Sequence, residues 1–103
     1  MTQLKGFQRK YLRGLAHSLN PMVLIGQHGV NDAVIKSVNE ALDSHELIKI
    51  RFNAFKEKDE KKELTSLIEQ ETKSELVGMI GHMAIFFRMQ KSSEKRKISV
   101  PSK

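Results

Sequence analysis

Gly26-Gln27-His28-Gly29 is the stretch of this 103-residue chain whose residue types could do chemistry. It follows a short apolar run, Met22 to Ile25, and precedes an amphipathic stretch that opens at Asn31, so a glycine loop meets a helix N-terminus. Glycines allow a close backbone approach and positive φ, and the first-turn N–H groups and dipole of a helix attract negative charge. In a basic chain the anion that fits is an RNA phosphate. Gly26 and Gly29 would let main-chain N–H groups of the loop and of the helix at Asn31 meet that phosphate. A carboxylate placed at Gly29 should then weaken RNA binding and leave folding intact. His28 could stack on a base or donate a hydrogen bond, and a solvent-facing histidine without a role fits the sequence as well.

Other chemistry finds little to work with. There is no cysteine, which removes thiolate metal sites, disulfides and a thiol nucleophile. His17, His28, His45 and His82 fall on different elements with no metal-ligand spacing, so no metal or other cofactor is expected. The glycine loop lacks the Gly-Lys-Ser/Thr ending of a P-loop, and the chain has no nucleophile elbow. The acids of residues 57–71 alternate with lysines at surface spacing. An enzyme acting on a small-molecule substrate is therefore not expected. The second glycine pair, Gly78-Met79-Ile80-Gly81, lies in an apolar strand and its turn, where glycine more often marks a bulge or hairpin than a ligand site.

The net charge of +6 is segregated. Residues 1–19 carry +4, residues 20–87 carry −3, and residues 88–103 carry +5. Positive ends around a slightly acidic middle imply a localised basic surface, although scattered charge would also serve solubility. No secretory layout opens the chain and no apolar run approaches a bilayer span, so the expected address is cytoplasmic, away from the membrane.

The elements that must position the loop read as follows. Residues 4–19 place Leu4, Phe7, Tyr11, Leu12, Leu15 and Leu19 on one side of a helix and Lys5, Arg9, Lys10 and Arg13 on the other, which predicts a core face and a basic face. Asn20-Pro21 ends it. Met22–Ile25 reads as a short buried strand. Asn31 caps a second helix with Val34, Ile35, Val38, Ala41 and Leu42 inward, running to about Ser44. From Glu46 the period changes to two, with Ile48, Ile50, Phe52 and Ala54 on one face and Leu47, Lys49, Arg51 and Asn53 on the other. A third helix follows over 59–72 with Leu64, Leu67 and Ile68 inward, opened by a charged run, 56–62, that solvation explains without any function. Strands 75–80 and 83–88 form a hairpin across Gly81-His82. The implied architecture is α/β (α+β) and two-layered: an N-terminal helix, then βαβαββ, with a four-stranded mixed sheet in which strands separated by helices pair in parallel. Residues 1–88 form one domain and 89–103 a basic tail.

Arg9, Lys10 and Arg13, with Lys5, supply an electrostatic attraction to phosphates, and Lys49, Arg51 and Arg88 could extend it. The aromatic residues sit mostly in core-facing patterns, which disfavours a base-stacking sheet and favours recognition of backbone and shape. The rival readings are a membrane-surface helix and a protein-interaction module that touches RNA little.

Five segments together carry a family resemblance: Leu12-Arg13-Gly14-Leu15-Ala16-His17; Pro21 through Gly29; Ala41-Leu42 with His45-Glu46-Leu47-Ile48-Lys49-Ile50; Val77-Gly78-Met79-Ile80-Gly81; and the strand ending at Arg88. They resemble the CRM domain (chloroplast RNA splicing and ribosome maturation), and the stand-alone bacterial YhbY-like form is similar over nearly the whole chain, including the stretch EKRKISVP from Glu94 to Pro101. The resemblance implies an RNA-binding protein associated with precursors of the large ribosomal subunit; the chain is expected to act as a monomer. The resemblance also implies a fold like the C-terminal domain of a bacterial translation initiation factor, with a KH-like G-x-x-G loop near the RNA backbone. Many relatives carry lysine where this chain has Gln27, and lysine and tyrosine where it has His82 and Phe87. The loop here therefore offers backbone donors more than charge.

Overall fold

The computed structural model describes residues 4–92, 94, 96 and 98–101. Its elements, in chain order, are α1 (Gly6–Ala16), β1 (Val23–Ile25), α2 (Asp32–His45), β2 (Leu47–Phe52), α3 (Lys58–Thr72), β3 (Glu75–Ile80) and β4 (Met83–Phe87). The α+β class, the element order and the four-stranded mixed sheet agree with the sequence pattern. The pairing order does not follow it in full. The sheet runs β1-β2-β4-β3, so β1 lies parallel to β2, while β4 is inserted between β2 and β3 and is antiparallel to both. β2 and β3 still point the same way, but the crossover through α3 skips one strand position, and the hairpin folds back into the gap.

The two-layer expectation holds for one face. Ile48, Ile50 and Phe52 of β2, with Ala84 and Phe86 of β4, pack under Val38 and Leu42 of α2 and Ile68 of α3. Each of these side chains except the small Ala84 stabilises the fold by about 2 kcal/mol through burial. Leu47, Ile85, Phe87 and Val77 point to the other face and pack with Leu12 and Ala16 of α1, joined by Leu4, Leu19, Ile98 and Val100. α1 thus forms a partial third layer. Leu47, expected on the polar side of β2, is buried for this reason.

The rotation of α1 is the main departure. Only Leu12 and Ala16 are fully buried in it, whereas Phe7, Tyr11 and Leu15, expected inward, are 40%, 44% and 39% exposed. The arginines turn the helix. Arg9 donates to the nearly buried Glu75 carboxylate at 2.7 Å, and Arg13 donates to the Val77 carbonyl at 3.2 Å while its stem covers Gly78. Long basic side chains can cover apolar surface with their stems when their heads find partners at its edge. Spacing alone could not tell these arginines from solvated ones.

Smaller differences have similar causes. β1 is an edge strand, so Leu24 is exposed rather than buried. Leu67 of α3 is exposed, its inward place taken by Thr65 and Thr72, whose hydroxyls donate to the Lys62 and Ile68 carbonyls. Gly78 sits where the β3–β4 register shifts, and Gly81 turns the hairpin at φ +59.

The described residues beyond β4 include several that are tied to the domain. The buried Glu46 carboxylate accepts the N–H groups of Gln90 and Ile98, and Gln8 donates to the Pro101 carbonyl, which ties this segment against α1. Lys95, Lys97 and Lys103 of the basic stretch lie outside the described residues.

Candidate nucleic-acid interface

β1 runs directly into Gly26-Gln27-His28-Gly29, which forms a tight turn closed by the Gly29 N–H donating to the Gly26 carbonyl at 3.0 Å. Gly29 therefore spends its own amide inside the turn. It is buried, with φ +68, and a Cβ there would stand 3.5 Å from the Phe55 ring. The expectation that a carboxylate at Gly29 leaves folding intact acquires a cost, because a side chain at positive φ is strained. Gly26 has no such constraint, because a Cβ there would enter open space. Gln27 and His28 are exposed, and their main-chain amides have no intramolecular partner among the described residues.

Two residues, Val30 and Asn31, separate the turn from helix α2. The Asn31 carboxamide oxygen accepts the Val34 N–H at 3.0 Å, the expected N-cap. Asp32 occupies the first turn of that helix and limits the positive potential available to an outside anion. Donors at this corner come mainly from the turn itself.

Because β1 and β2 are parallel, the end of β2 arrives beside the turn. The N–H groups of Asn53 and Ala54 both donate to the Ile25 carbonyl, at 2.9 and 3.3 Å. Phe55 then takes φ +56, a conformation rare for an aromatic residue, and its ring packs on Gly29. The β3–β4 turn reaches the same end, where the His82 carbonyl accepts the Phe52 N–H and Lys61 of α3 donates to the Gly81 carbonyl at 2.9 Å. The part Phe55 plays was invisible to sequence reasoning, and the exposed Lys56 after it was read only as the start of a solvated charged run. No local signal marks a phenylalanine for positive φ.

The expected basic residues divide into two groups. Arg51 is exposed and stands beside Leu24 in the register, one position before the strand end that feeds the turn. Lys49 is half-buried, its amine 3.5 Å from the His17 carbonyl. Lys5 and Lys10 are exposed on α1. Arg9 and Arg13 are engaged on β3, the edge of the sheet opposite β1. Arg88 is at the other end altogether. Its guanidinium donates to the side chain and carbonyl of Asn39, to the Thr72 carbonyl and to the Asp43 carboxylate, at 2.7 to 3.2 Å. The structure thus brings together Gly26, Gln27, His28, Gly29, Asn31 and Arg51, and keeps Arg9, Arg13 and Arg88 apart from them. A surface depression of about 630 Å³ lies around Arg88, Asn39 and Lys73, away from the turn.

Comparison with known proteins agrees with this topology. Residues 4–88 match the family model of the CRS1 / YhbY (CRM) domain. A Haemophilus influenzae protein named RNA-binding protein is 39% identical over 103 residues, covering 100% of both chains. A Bacillus subtilis protein, named Probable RNA-binding protein YqeI, is 36% identical over 98 residues, covering 95% of this chain and 99% of its own. Among solved structures, the solution structure of a Staphylococcus aureus protein, described as a candidate RNA binding protein, superposes with a TM-score of 0.80 at 37% identity. It covers 96% of this chain and 100% of that one.

Proposed function

The chain belongs to the CRS1/YhbY (CRM) domain family, and on that premise we propose that it binds RNA in the cytoplasm as a monomer. Its target in this reading is ribosomal RNA of large-subunit precursors, whose assembly it assists. The observation that carries the reading is the turn after β1. It is exposed at Gln27 and His28, its amides there are not used within the fold among the described residues, and it is held in place by Gly29 and Phe55. Those amides grip a phosphate, while Arg51 and the exposed Lys10, Lys5 and Lys56 supply a sequence-independent attraction. The names of the full-length relatives point to the same class of ligand.

The exposed Phe7, Tyr11 and Leu15 flank of α1 favours a second reading, a protein-docking module with little RNA contact. Salt separates the two. Binding of a labelled ribosomal RNA fragment, measured by fluorescence anisotropy, should weaken steeply as salt rises, whereas docking through the α1 flank should survive moderate salt. Replacing Gln27 and His28 together by glutamate should weaken RNA binding roughly tenfold or more at constant salt and leave the melting temperature unchanged. Undiminished affinity in that variant removes the turn from the site.

A further inference from the structure

The two most exposed large apolar side chains in the sheet, Leu24 and Ile80, each 57% exposed, stand on opposite edge strands yet belong to one line. Leu24 pairs with Arg51, Arg51 with Met83, and Met83 with Ile80. Residues directly opposite across a ladder point to the same face. Leu24, Arg51, Met83 and Ile80 therefore form a continuous row across all four strands, on the face that α1 covers. It is the last row before the Gly26–Gly29 and Gly81-His82 turns. α1 leaves the row open: Arg51 is exposed and Met83 half-buried. No carboxylate occurs in the row or in the neighbouring one of Lys49, Ile85 and Gly78.

Resting on the RNA reading above, we propose that this row is a seat for the unpaired bases of a single-stranded RNA segment whose backbone is held at the adjoining turn. The chemistry fits in three respects. Aliphatic side chains beside a planar guanidinium offer contact area to any base without selecting its edge pattern. Four residues fall far short of the about 20–30 a side found in a standard protein interface. The row is also continuous with the turn, since Leu24 is separated from Gly26 by Ile25 alone. A paired helix keeps its bases stacked inside, so the seat discriminates against duplex RNA.

The test uses the full chain and three labelled probes: a short mixed-sequence single strand, its duplex, and an abasic strand of the same length. The double substitution Leu24→Ser with Ile80→Ser removes only exposed side chains. It should weaken single-strand binding roughly fivefold, leave abasic-strand binding alone, and leave the salt slope unchanged. Arg51→Gln should weaken all three probes and lower the slope by about one unit. Ultraviolet crosslinking of the unmodified protein should attach bases to peptides holding Met83 or Ile80, a readout independent of variant folding. Unchanged single-strand affinity in the double variant overturns the seat, as does equal loss on the abasic strand or an absence of crosslinks there. If the turn variant loses RNA while the row variant does not, the seat falls and the RNA reading stands. If the unmodified protein binds none of the probes, both fall.

Discussion

The two ends of the sheet use their charged residues in opposite ways. At the end where β2 starts and β4 finishes, charge is consumed by the fold. Arg88 joins the last turns of α2 and α3, Glu46 holds the following segment by its amides, and the Gln90 side chain donates to the Asp43 carbonyl. Glu75 likewise takes both Arg9 and the Leu4 N–H. At the other end the turn amides of Gln27 and His28 and the head of Arg51 remain open to solvent. A basic residue in this chain is therefore informative about RNA only once its partners are known. Charge segregated along the sequence is not charge available on the surface.

The sharpest break in that comparison would come from Arg88. Arg88→Met leaves Asn39, Asp43 and the Thr72 carbonyl without their donor, and should cost on the order of 3 kcal/mol in urea unfolding, with RNA affinity per folded molecule unchanged. Normal stability with lost RNA binding would put Arg88 in the interface after all. Arg9→Gln should come next, at about 2 kcal/mol, because it leaves a nearly buried Glu75 carboxylate short of its cation. Its salt slope for RNA should stay that of the unmodified protein, and a shallower slope would return α1's arginines to the footprint. The smallest effects sharpen the open end. Gly29→Ala should cost about 1 kcal/mol through its positive φ. Gly26→Ala should stay within about 0.5 kcal/mol, because its Cβ meets nothing. Equal costs at the two glycines would mean the turn is not shaped as described.

Much of the fold was legible because its signals are local. The Asn31 cap, the period of two from Leu47 to Phe52 and the Gly81-His82 turn each depend on residues a few positions apart, and each element lies where its pattern placed it. The family resemblance added order to those pieces. The candidate site was legible in part. The exposed Gln27 and His28 follow from a polar pair between glycines, but the difference between Gly26 and Gly29 does not, because both look alike until Phe55 is placed against one of them. The basic face of α1 was misread because leucine spacing suggested one rotation and two salt-bridged or hydrogen-bonded arginines imposed another.

By itself, the chain determined which segments become helix or strand, where they stop, and that a glycine turn precedes a capped helix, since these depend on periodicity and backbone preference over one or two turns. Only the tertiary structure decided which cations remain for a ligand and which apolar side chains line up at the sheet's end. Those outcomes rest on partners such as Arg9 with Glu75 and Arg88 with Asp43, 66 and 45 residues apart. They rest equally on the entry of β4 between β2 and β3. Pairing at such separation is settled by packing the whole sheet at once, and no local pattern encodes it.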